Sequence, residues 1–151
     1  MTGARCCLAG YEYADIDCWE TAWTEYVRVL GTDDARRLVG ELQCMVRVLR
    51  RDSERPLSFF PYGCCHICRD EGLLLSLVSA LQDGDEATAT YAARHLTART
   101  AAAAIGDVME ATRSFARALK NTGQKLLSVP AAVVASIVSA GSEPAAKSTM
   151  H

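Results

Sequence analysis

Apolar residues recur every three or four positions along most of this chain, a period that only a helix gathers onto one side. Trp19, Ala22, Trp23, Tyr26, Val27 and Leu30 form one such stripe, and Ala35, Leu38, Val39, Leu42, Met45, Val46 and Leu49 form the next. No stretch alternates convincingly over the length of a strand. Gly31 stops the first stripe. Thr32 then supplies an N-cap with Asp33 and Asp34 in the first turn, and Arg47, Arg50 and Arg51 close the second helix where the dipole favours cations. Because only Gly31 and Thr32 lie between them, the two helices are expected to form a tight antiparallel hairpin with the Trp19, Trp23 and Leu42 faces in contact.

The same reasoning places a third helix at about 69–82 on Leu73, Leu74, Leu77, Val78 and Leu81, stopped by Asp83, Gly84 and Asp85. Alanine and threonine then dominate, and two further helices are expected at about 86–99 and 101–121, although nothing between them forbids one long helix. The uncharged run 126–141 fits a sixth helix with Ser128 as cap and Pro130 in its first turn. It is shorter than the roughly 20 residues a spanning helix needs, so a buried helix is the better reading and a membrane partner is not expected. Residues 1–14 read as an irregular segment, 52–68 as an irregular Pro/Cys-rich loop, and 142–151 as a disordered polar tail. The expected fold is therefore all-α, a single-domain bundle of five to six helices over 1–141 with a Cys-rich loop.

At 151 residues, half of them apolar and 23% charged, the chain has material for one core and is not of disordered composition. A net charge of −2 gives no general pull toward nucleic acid or an anionic membrane, so binding of that kind would need a local patch. Seven cysteines are many for this length. The N-terminus offers one Arg, Arg5, but Tyr11, Glu12, Tyr13 and Asp15 interrupt any apolar run of signal-peptide length. An intracellular location, cytoplasmic or nuclear, with reduced thiols is the expectation.

The densest chemical signal is Gly63-Cys64-Cys65-His66-Ile67-Cys68. Cys65 and Cys68 form one CxxC pair, which aims two thiolates at a tetrahedral centre and makes half of a structural zinc site. The remainder would come locally from Cys64 and His66, giving Cys64, Cys65, His66 and Cys68 as ligands for one zinc ion, or through the fold from Cys18, Cys44, His95 or the Cys6-Cys7 pair. Against this stands the frequency with which free cysteine is simply a small buried residue. A redox role also has a basis, because the cluster precedes a helix N-terminus and Arg69, both of which lower a thiol's pKa. Without a strand set, a thioredoxin-like enzyme is not expected.

No catalytic residue is assigned, since no phosphate loop, HExxH helix, GxSxG elbow or assembled Cys–His pair is present. The expected function is non-enzymatic: a regulatory or interaction protein that binds a protein partner through an apolar helical face, with Trp19, Trp23, Phe59, Phe60 and Tyr62 as contact residues and self-association open. The alternative is a zinc-dependent nucleic-acid-binding regulator, in which the knuckle holds the Phe59–Tyr62 aromatics for base stacking beside Arg50, Arg51 and Arg55. A second basic group, Arg113, Arg117 and Lys120, is better explained by pairing with Glu110 one turn away.

Overall fold

The computed structural model describes residues 1–140, and each regular element within them is a helix. In chain order these are α1 (Thr2–Tyr13), α2 (Ile16–Leu30), α3 (Thr32–Asp52), α4 (Arg69–Asp83), α5 (Glu86–Thr97), α6 (Ala102–Asn121) and α7 (Ala131–Ala140). The expected tail 142–151 lies outside the described residues.

The stripe expected on α3 is its buried face, residue for residue, and the hairpin of α2 and α3 forms across Gly31, whose φ of 82° places it in the left-handed region. α3 packs most extensively on α6, α4 on α5, and α1 on α2. One apolar core runs through all seven helices, from Ala4, Cys7 and Leu8 in α1 to Val134 in α7. α4 is its axis: Leu73, Leu74, Leu77, Val78, Ala80 and Leu81 are all buried. Its polar Gln82 is buried too. Its amide donates to the carbonyls of Ala116 and Gln124 and its oxygen accepts from Leu126 N–H, which pins the segment after α6.

One expectation is corrected. Residues 1–14 are not irregular, because 2–13 form α1, and this raises the helix count among the described residues to seven. Its inner face has few large side chains but small ones, Gly3, Cys6, Cys7 and Gly10, and these let α2 approach. A Cβ on Gly10 would stand 2.5 Å from Trp19 Nε1, and one on Gly3 would stand 2.7 Å from Tyr26 Cζ. Glycines seven apart thus receive aromatics seven apart. The Ala-rich stretch forms two helices, as expected. Ala98 turns left-handed at φ 58°, and the freed Thr97 carbonyl accepts from Glu54 N–H at 2.9 Å.

The run 126–141 yields only the ten-residue α7, which docks on α4 and α5. Among the described residues no helix is long and apolar enough to cross a membrane.

A clamped cysteine loop beside an aromatic-rimmed cleft

Between α3 and α4 the chain runs from 53 to 68 without a helix, and four charged side chains set its path. Arg5, inside the core side of α1, meets Glu71 in the first turn of α4 through Nε at 2.5 Å and Nη2 at 3.0 Å. Their side chains are 5% and 0% exposed, so neither charge is shared with water. The rest of the guanidinium donates to loop carbonyls, to Cys64 O at 2.5 Å and His66 O at 2.5 Å. Glu71 completes the set by accepting from the backbone N–H of Cys68 at 2.9 Å and Phe60 at 3.2 Å. Burial pushes the Glu71 carboxyl up, but the bonds from Arg5, Cys68 and Phe60 outweigh it and hold it below the ordinary carboxylate range.

Asp70 does the same for the start of the loop. It accepts a two-pronged contact from Arg55, at 2.7 and 2.6 Å, and the N–H of Ser58 at 2.8 Å. Burial raises its pKa, and Arg55, the Ser58 amide and Arg69 together bring it below the usual value. Two adjacent carboxylates therefore fold the loop, one against α1 and one against Arg55.

Within this frame the four proposed metal ligands divide. Cys64 Sγ and Cys65 Sγ lie 3.8 and 3.6 Å from His66 Nδ1. The Cys68 thiol instead donates to Ser58 O at 3.0 Å, and burial pushes its pKa up. Among the described residues no group of three or more His, Cys, Asp or Glu side chains is disposed to hold a metal ion. All seven cysteines are free thiols, with Cys6 and Cys7 buried in α1 and Cys65 and Cys44 exposed.

The outer side of the loop faces a cleft of ≈ 910 Å³ whose other walls are α1 and the end of α3. Phe59, Phe60 and Tyr62 all line it, together with Tyr13. Phe59 is half-buried against the core, whereas Tyr13, Tyr62 and Phe60 are 73%, 56% and 38% exposed. Trp19 and Trp23 lie elsewhere. Trp19 is used in packing, edge-on to Tyr11 with ring centres 4.7 Å apart, and Trp23 is half-buried on α2 outside the core cluster.

The three arginines proposed for nucleic acid are also divided. Arg50 stands 5.4 Å from the centre of the Tyr11 ring and lines the cleft. Arg51 is paired with Asp52 and Asp107, each at 2.7 Å, and Arg55 with Asp70. The residues that organise the site and were absent from the sequence-based set are Arg5, Tyr13, Asp70 and Glu71. A lone cation within the apolar stretch Met1–Gly10 was the available signal for Arg5, and two acids one residue beyond a CxxC were the signal for its partner.

No protein-family model matches the chain, and comparison with curated proteins and with solved structures yields no match.

Proposed function

We propose that the chain is a non-enzymatic interaction protein that takes an extended segment of a protein partner into the cleft between α1 and residues 53–62. The observation that carries this reading is the exposure of Tyr13, Phe60 and Tyr62 around one cleft, beside a loop tied down by the buried Arg5–Glu71 pair and by Arg55–Asp70. Rigid aromatic side chains bind at low entropic cost, and aromatic anchors beside pockets dominate interface energetics. Arg50, Glu12 and Glu54 give the cleft charge of both signs, which suits a polypeptide better than a polyanion. A zinc-dependent nucleic-acid reader built on Arg50, Arg51 and Arg55 would have to compete with the carboxylates already on Arg51 and Arg55.

Peptides selected on the full chain from a display library test this directly. Selected binders should lose roughly 10-fold or more in affinity on Phe60→Ala and on Tyr62→Ala, since an interface anchor is worth about 2 kcal/mol. Binders indifferent to both changes and to Tyr13→Ala, in variants with unaltered helical circular dichroism, would overturn the assignment. So would salt-dependent RNA binding tighter than any peptide.

A further inference from the structure

The loop owes its shape to Arg5, Arg55, Asp70 and Glu71, and Cys68 takes part through its bond to Ser58. Cys64 and His66 lend that framework backbone groups, whereas the hydrogen bonds of the Cys64, Cys65 and His66 side chains are to one another, with the His66 ring set edge-on to Phe60. They also lie together. Both sulfurs are within 3.8 Å of one ring nitrogen, Cys65 is exposed, and the carbonyls on either side of the Cys65 residue are tied to the same guanidinium. The exposed face of a clamped loop thus presents two thiols and a base in a fixed relation.

We propose that this trio is an oxidation site for hydroperoxides, with Cys65 as attacking thiol, His66 as its proton acceptor and Cys64 as the second thiol. With the ring proton on Nε2, Nδ1 accepts the proton of the Cys65 thiol, which lies nearer than Cys64. The thiolate sulfur attacks the peroxide, the O–O bond breaks, and Cys65 becomes a sulfenic acid. The departing alkoxide or hydroxide takes the proton back from the imidazolium and leaves as an alcohol or water. The Cys64 thiol then attacks the sulfenic sulfur, an S–S bond between the adjacent residues forms as the 64–65 peptide turns and its carbonyl leaves Arg5, and water departs. In sum two thiols lose two electrons and two protons, and one hydroperoxide is reduced to an alcohol and water.

Cys44 is a demanding control within the same chain. It is exposed on α3 with the Arg47 charge nearby, yet among the described residues no histidine bonds to it. The experiment treats the full reduced chain with equimolar hydrogen peroxide, quenches at intervals with an alkylating agent, and maps each cysteine by peptide mass. Cys65 should be consumed roughly 10-fold faster than Cys44, as positioned base assistance to a thiol allows. The product should be two mass units lighter and restored by a dithiol. His66→Asn should bring Cys65 down to the Cys44 rate. Cys64→Ser should trap a sulfenic acid on Cys65 that a dimedone probe captures. Equal rates at Cys44 and Cys65, first oxidation at Cys64, or an unchanged rate in His66→Asn would overturn the proposal. Because the readout is chemical, its failure leaves the peptide-binding reading standing.

Discussion

A full positive charge inside a small protein survives only where something of opposite sign reaches it, and Arg5 has one such group within bonding distance, Glu71. Substituting Glu71→Gln keeps the shape and removes the charge, leaving a buried guanidinium without its counter-ion. We expect a loss of roughly 3–5 kcal/mol in urea unfolding, the range for breaking a buried pair from one side. Replacing both partners by Met should recover part of it, since apolar residues of similar size carry no desolvation penalty. A cost below about 1 kcal/mol for Glu71→Gln would show that the pair does not hold the loop. This pair was only half legible in the sequence. A helix start with acids is visible as a pattern, but it cannot be told from ordinary dipole compensation until the partner is known to lie 66 positions away.

Helices with large apolar stripes were readable in advance, and α3 is the clearest: every residue of its expected stripe is buried. α1 was not, because its inner face is built from glycine and cysteine, and glycine ordinarily counts against a helix. The seam between α1 and α2 therefore makes a test that composition alone would get backwards. In an open helical position Gly→Ala gains up to about 1 kcal/mol from propensity, and Gly40 on α3, with nothing within 4 Å of an added methyl, should show that gain. At Gly10 the same change drives a methyl into the Trp19 indole, where overpacking costs typically about 1–3 kcal/mol. Thermal unfolding of the two variants should move in opposite directions. A stabilised Gly10→Ala would mean that the indole can turn aside and that the seam is looser than drawn. Two helices were expected where α5 and α6 lie, but what separates them was not legible: an alanine at φ 58° leaves no mark in the sequence, and the amide that meets the Thr97 carbonyl comes from Glu54.

For the molecule as a whole, the loop should respond to acid before the bundle does. Asp70 and Glu71 have folded-state pKa values below their ordinary 3.8 and 4.5, so the unfolded chain binds protons more readily. Their contribution is complete above the ordinary carboxylate range and is lost as pH falls through the lower folded-state values. Measured against the intrinsic hydrogen-exchange rate at each pH, protection of the amides of Ser58, Phe60 and Cys68 should fall on acidification from about pH 5 while the amides of α3 remain protected. Loop and α3 amides losing protection together would show that the loop has no independent acid response. The wider plan of an all-helical bundle with a cysteine loop was readable from periodicity. The cleft was not, because its walls come from segments that only the fold brings together.

The long reach of Arg5 also orders events in time. Its carboxylate partner sits in the first turn of α4, and the carbonyls it grips belong to a loop that takes shape only once that turn exists. Closing a contact of 66 positions is slow compared with forming the local hairpin of α2 and α3, since chain entropy is spent before any contact returns it. Until then the guanidinium stays in water, because entering an apolar core unpaired would cost more than the docking of α1 returns. The first helix of the chain should therefore be among the last to settle, and nascent or refolding molecules should pass through a stage in which Gly3 and Gly10 still face solvent.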